Sequence, residues 1–180
     1  MIQASEIIRT ERLMLRRPTV ADAPDIYAYA HDPEVTRYMV WPMHTDIAES
    51  ITFLEACAAR WDSGEEYCWV ITVKPEDRAV GAIGCRVRGY AVDFGYVLHR
   101  SYWGRGYATE AARAVVTWAL NLPGVWRVWA TCDTENLASV RVLEKSGLLC
   151  EGRLRRSMIR PNLAMTPRDT FVFARVRDEV

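Results

Sequence analysis

The sequence predicts one α/β domain, residues 1–180, with a mixed sheet flanked by helices. Three observations carry that prediction. Val92 to Leu98 reads as a strand, and a glycine loop, Trp103 to Ala108, runs from it into a helical pattern in which Ala108, Ala111, Ala112, Val115, Val116 and Ala119 recur at i, i+3, i+4, i+7, i+8 and i+11. Two further strand-like runs, Tyr67 to Val73 and Val80 to Arg88, precede it around a turn at Pro75-Glu76-Asp77, a meander feeding a crossover. Half of the 180 residues are apolar, enough for a full core, and no repeat, low-complexity tract or linker divides them.

Each element has a local cause. Arg12 to Arg16 alternates as a short opening strand, and Thr19 with Asp22 forms a capping-box pattern that starts a first helix. A second helix is expected from Thr45, because Ile47, Ile51, Leu54, Ala58 and Trp61 step by four and three, and Gly64 ends it. Asn121, Pro123 and Gly124 stop the helix after the glycine loop. A strand over Val125 to Cys132, a helix from about Ser139, and two strands, Arg153 to Ile159 and Asp169 to Val176, complete the order.

The glycine loop is the feature that points to chemistry. Glycines let the backbone approach an anion closely, and the first turn of the following helix offers N–H groups without internal partners at the positive end of the helix dipole. A pyrophosphate is the expected guest. No Lys-Ser or Lys-Thr follows the second glycine, and no third glycine completes GxGxxG, so nucleoside-triphosphate and dinucleotide loops are excluded.

Trp103-Gly104-Arg105-Gly106-Tyr107-Ala108 resembles the acyl-CoA signature of the GNAT superfamily of N-acetyltransferases, [Q/R]-x-x-G-x-[G/A]. Trp103 departs from the first position, and the run WGRGYATEA is similar instead to one branch, the ribosomal-protein-alanine N-acetyltransferase-like (RimJ/RimL-type) group. A second block agrees: Asn136, Ser139, Leu143, Gly147 and Leu148 stand at the offsets of the family's later motif. The resemblance covers residues 8–178. It implies a GNAT fold whose mostly antiparallel sheet contains one splayed parallel strand pair, with acetyl-CoA as cosubstrate. It further implies that Val97 and Leu98 pair with the pantetheine arm, that the amides of Arg105, Gly106, Tyr107, Ala108 and Thr109 hold the pyrophosphate, and that Asn136 bonds the arm. Asn136 is equally suited to capping the helix behind it.

Acetyl transfer to an amine needs a base, a donor for the tetrahedral oxyanion and an acid for the departing thiolate. Asp93, ten residues before Trp103, stands at the spacing of the superfamily's catalytic carboxylate, on the strand face opposite Val92, Phe94 and Tyr96. The tyrosine acid that many members carry seven residues after the asparagine is Leu143 here. The resemblance therefore points to Ser139 as the proton donor, a residue that also suits a helix start. Tyr102 and Tyr107 are reserve donors, and Glu110 in the first helical turn reads as structural.

Twenty-three basic residues balance twenty-three acidic ones, so no bulk charge draws the chain to nucleic acid or membrane. Five cysteines without CxxC spacing, and no signal peptide or apolar span, lead to the expectation of a cytoplasmic protein with reduced thiols. No metal is expected, because His31, His44 and His99 lack partners at ligand spacing. Tyr38, Met39 and Trp41, with Pro42 and Met43, are the candidate acceptor-binding patch, and Arg153, Arg155, Arg156 and Arg160 form a late basic cluster. The acceptor is expected to be a protein N-terminus, with a small amine (antibiotic, amino sugar or metabolite) as alternative and a non-catalytic acyl-CoA sensor as a reading of another class. Monomer and homodimer stay equally open. At pH 7 an α-amine of pKa about 8 costs about 1.4 kcal/mol to deprotonate, whereas a lysine costs about 4.6 kcal/mol. A modest base therefore favours the α-amine.

Overall fold

A computed structural model describes residues 4–177. Eight strands form one sheet: β1 (Ile7–Arg9), β2 (Leu13–Arg16), β3 (Tyr67–Val73), β4 (Ala79–Arg88), β5 (Ala91–Leu98), β6 (Arg127–Asp133), β7 (Leu149–Arg160) and β8 (Ala164–Val176). Their spatial order is β1-β2-β3-β4-β5-β6-β8-β7. Every neighbouring pair is antiparallel except β5 and β6. The helices are α1 (Ala23–Ala30), α2 (Pro33–Thr36), α3 (Ile47–Ser63), α4 (Tyr107–Leu120) and α5 (Leu137–Lys145).

The two faces of β5 divide the core. Val92, Phe94 and Leu98 join the apolar stripe of α4, Ala111, Ala112, Val115, Val116 and Ala119, all buried. Val97, of opposite parity, packs toward Ile26, Tyr29 and Leu54 of α1 and α3 on the other face. Trp61, Tyr67, Trp69 and Trp118 meet edge-on at 5.2 to 6.1 Å, a preferred arrangement for aromatic quadrupoles.

Several boundaries differ from expectation for identifiable reasons. The second helix begins at Ile47 because Asp46, not Thr45, caps it, accepting from Ala48 N–H at 2.8 Å. Gly64 closes it in the left-handed region at φ 73°, as its sequence position requires. The first turn after Thr19 is a 3₁₀ turn that leads into α1, and the Asp22 carboxylate accepts from Thr19 N–H at 2.8 Å while gripping Arg16. The late strands run longer than their sequence pattern suggests. β7 is an edge strand exposed along nearly its whole length, so no buried face imposes alternation.

The functional consequence lies between β5 and β6. Their pairing is confined to Ala91–Arg127, Val92–Val128 and Asp93–Trp129, although β5 continues to Leu98 and β6 to Asp133. Beyond Asp93 the strands part.

Candidate active site

The glycine loop stands where β5 ends. Gly104 (φ 74°) and Gly106 (φ 80°) both adopt left-handed backbone, and Gly106 occupies the N-cap position of α4. The first hydrogen bond into the helix is from Glu110 N–H to the Gly106 carbonyl at 3.0 Å. Among the described residues, the N–H groups of Arg105 to Thr109 have no acceptor, a run of backbone donors at the helix's positive end. That is the arrangement a pyrophosphate fits.

Arg12, which the sequence marks only as a strand residue, and Glu110, which it marks as structural, set the loop's shape. Arg12 donates to the Arg105 carbonyl at 3.0 Å and lies 4.8 Å over the Tyr107 ring. Glu110 holds Arg12 in turn, accepting from its backbone N–H at 2.9 Å, its Nε at 2.7 Å and the Thr10 hydroxyl at 2.6 Å. Glu110 is therefore structural in a specific sense, as the link between the β1–β2 turn and the glycine loop. The Trp103 indole N–H donates to the Leu98 carbonyl at 2.7 Å, tying the loop's first residue to the end of β5.

Asp93 lies on the face of β5 opposite Phe94 and is 8% exposed. Its Oδ2 accepts from Arg86 Nε at 2.9 Å and Nη2 at 2.6 Å across the β4–β5 ladder, where the two residues are paired. Oδ1 makes no hydrogen bond among the described residues, and Arg88 Nε stands 3.9 Å from it. One oxygen is thus engaged, and the other keeps its lone pairs at the point where β5 and β6 part.

Ser139 and Asn136 sit at the start of α5. Asn136 caps the helix through Oδ1, which accepts from Ser139 N–H at 3.1 Å, and its amide N–H₂ has no partner among the described residues. Capping therefore leaves the donor end of Asn136 available. The Ser139 hydroxyl is 2.7 Å from the Tyr96 hydroxyl, which bridges β5 and α5 across the parted strands. Burial raises the Tyr96 phenol well above its ordinary range, so it stays protonated as a donor. Tyr96 carries no sequence signal beyond its strand parity. Beside this pair, burial pushes the Cys132 thiol up to about 11, with the Ser139 hydroxyl opposing.

The candidate acceptor patch forms a loop between α2 and α3. Tyr38, Met39 and Trp41 are half-buried, and the Trp41 ring lies 5.3 Å from His44. Asn162, in the β7–β8 turn, straps this loop: it donates to the Thr36 carbonyl at 2.7 Å and the Trp41 carbonyl at 2.9 Å, and accepts from Met43 N–H at 2.8 Å. No sequence motif marks Asn162, because its partners are backbone groups more than a hundred residues away. His99 closes the far end of β5, its Nδ1 accepting from Ser101 N–H at 3.1 Å. The late arginines divide. Arg153, Arg155 and Arg156 line an open depression with Arg168 and Asp169, whereas Arg160 turns inward and is buried.

No group of three or more His, Cys, Asp or Glu side chains among the described residues is placed to hold a metal ion. No helix among them is long and apolar enough to cross a membrane.

Comparison with known proteins agrees with this geometry. The family described as Acetyltransferase (GNAT) domain matches residues 12–149. The uncharacterized N-acetyltransferase YoaA of Bacillus subtilis is 32% identical over 174 residues, 95% of this chain and 97% of that protein. Two solved structures share the fold. Microcin C7 self immunity acetyltransferase MccE, in complex with acetyl-CoA and AMP, superposes with a TM-score of 0.86 at 18% identity, covering 97% of this chain and 98% of its own. RimL, a ribosomal L7/L12 alpha-N-protein acetyltransferase in complex with coenzyme A, gives 0.84 at 20% identity, with 95% and 98% covered.

Proposed function

The chain belongs to the GNAT acetyltransferase family, and we propose that it transfers acetyl from acetyl-CoA to the N-terminal α-amine of a protein by direct attack of the amine on the thioester. The observation that carries this reading is the run of unpartnered amides from Arg105 to Thr109 beside a strand pair that parts after Asp93 and Trp129. In this reading those amides hold the pyrophosphate, while Val97, Leu98 and the free end of Asn136 hold the pantetheine arm. MccE and RimL, which share the fold, bind acetyl-CoA and coenzyme A respectively.

The chemistry then divides between the two sides of the gap. Asp93 Oδ1 takes the proton of the incoming ammonium, directly or through one water, and Arg86 fixes the carboxylate's orientation. Ser139 returns a proton to the departing thiolate, and Tyr96 behind it supplies the next donor in the chain. Direct attack is favoured over an enzyme-bound thioester because the thiol nearest this pair, Cys132, is held protonated by burial. The same free thiols suit a cytosolic enzyme.

An α-amine is the favoured acceptor because about a tenth of such groups are already neutral at pH 7, so one carboxylate suffices as base. RimL is itself an alpha-N-protein acetyltransferase. In this reading Tyr38, Met39 and Trp41 receive the first residues of the acceptor chain. A small amine is the second reading, and MccE, a self immunity acetyltransferase solved with acetyl-CoA and AMP, shares the fold as RimL does.

Steady-state turnover of Asp93→Asn and Ser139→Ala with acetyl-CoA and N-terminal peptides tests the assignment. Each variant is expected to lose about 10²-fold or more in kcat while still binding acetyl-CoA. Full turnover in both would overturn the two roles.

A further inference from the structure

Arg160 is the most unusual charge in the molecule. It ends β7 and is 5% exposed, its Nε is fully buried without a partner, and its side chain makes no hydrogen bond or ion pair among the described residues. An arginine cannot escape burial by losing its proton, so it carries a charge without a hydrogen-bonded partner into the interior, where such charges are ordinarily paired. Asp133 offsets it only through space, without a hydrogen bond. Asp133 is already committed to Arg168, through Nε at 2.7 Å and Nη2 at 3.1 Å.

A second orphan lies further along β8. Thr170 stands opposite Asp133 in the β6–β8 ladder, and its hydroxyl is buried with no partner. Arg160 also acts electrostatically on Cys132, the thiol that lies against Ser139. Two residues along the chain, Asn162 grips the loop that carries Trp41. Arg160 therefore stands between the free end of β6 and the Trp41 loop, with unused donors beside the β7–β8 turn.

We propose that Arg160 forms an oxyanion-receiving subsite at the acceptor end of the gap, and that preferred acceptors carry a carboxylate close to the amine they present. This rests on the reading of the parted strands as the site of acetyl transfer. The planar guanidinium suits a carboxylate, and a bound anion supplies the hydrogen-bonded partner that the fold leaves out. For an N-terminal acceptor the carboxylate belongs to an acidic residue next to the first.

Two measurements test the subsite. In the first, the Nε–H resonance of Arg160, assigned by its loss in Arg160→Lys, is followed by ¹⁵N NMR in the full-length protein as acetate or, separately, inorganic phosphate is added. A saturable shift with acetate is expected. A shift with phosphate alone keeps the oxyanion site but assigns it to a phosphorylated acceptor, and no shift with either overturns the proposal. In the second, kcat/KM is compared for two peptides that differ only by Glu or Gln at the second position. Wild type is expected to favour Glu by about tenfold or more, carried in KM, and Arg160→Met to bring the ratio near one. Peptide turnover with no Glu preference overturns the subsite and leaves acetyl transfer standing. A shifted resonance with no peptide acetylated does the reverse for the α-amine reading. Arg160→Met is also expected to be at least as stable as wild type, since it removes an unpaired buried charge.

Discussion

Glu110→Gln probes the joint on which the glycine loop rests. The carboxylate accepts from the Thr10 hydroxyl, Arg12 N–H and Arg12 Nε, and Arg12 passes that order on to the Arg105 carbonyl. Glutamine keeps the shape, removes the charge and turns an amide N–H₂ toward N–H donors. A hydrogen bond to a charged group is worth about 1.5–3 kcal/mol. The Arg12 side chain is 45% exposed, so water screens its share, and we expect a net loss of about 2–3 kcal/mol. For a chain of this size that lowers Tm by about 4–12 °C. Burial pushes the Glu110 carboxyl up, but Thr10 and Arg12 outweigh it and hold the group below the usual carboxylate range. Its contribution is therefore present above the unfolded value of about 4.3 and is lost as pH falls through the folded value. Urea unfolding of both proteins at pH 7 and in acid measures it, with acetyl-CoA affinity as second readout. The stability gap should narrow in acid, and at pH 7 the variant should bind acetyl-CoA several-fold more weakly. A difference under about 0.5 kcal/mol at pH 7, or a gap that stays constant into acid, would refute the reasoning.

Three further outcomes follow from the same geometry. Gly81→Ala would place its Cβ inside the van der Waals shell of the Val97 carbonyl oxygen. It should cost about 1–3 kcal/mol by denaturant titration and weaken acetyl-CoA binding, because it pushes β4 off the part of β5 next to the gap. Tyr96→Phe should lower kcat less than Ser139→Ala, and the double variant should fall short of the product of the two, as expected of hydroxyls acting in one chain; single-turnover rates decide this. Burial holds His44 below its ordinary value beside Ser50, 2.9 Å away. The Trp41 loop should therefore be fully ordered above about pH 6.5 and loosen as pH falls toward the folded value, a change that hydrogen exchange over residues 38–43 detects and His44→Gln abolishes.

The parts of the fold that were legible in the sequence are those where one face is buried. α4 announces itself through its alanine and valine stripe, and β3 through a continuous apolar run, because burial imposes periodicity on both. The ends of β7 were hidden because an exposed edge strand obeys no pattern, and β1 because three residues are too few to show one. The glycine loop was legible because glycine at φ 74° and 80° is a backbone requirement written in residue type. What surrounds it was not. Arg12, Arg86, Tyr96 and Asn162 act through partners on other elements, and nothing at those positions distinguishes them from ordinary surface or strand residues until the sheet is assembled. Arg160 shows the same limit from the opposite side, since the sequence groups it with Arg153, Arg155 and Arg156, and only the fold buries it.

The central claim, acetyl transfer to an α-amine, is tested most directly by one peptide that carries both a free N-terminus and an internal lysine. Incubated with acetyl-CoA and the enzyme, it is read by fragment-ion mass spectrometry. The account predicts acetyl on the N-terminal nitrogen, with the lysine unmodified over the same interval. Acetyl on the lysine, or none on the peptide while a small amine in the same tube is acetylated, would contradict it.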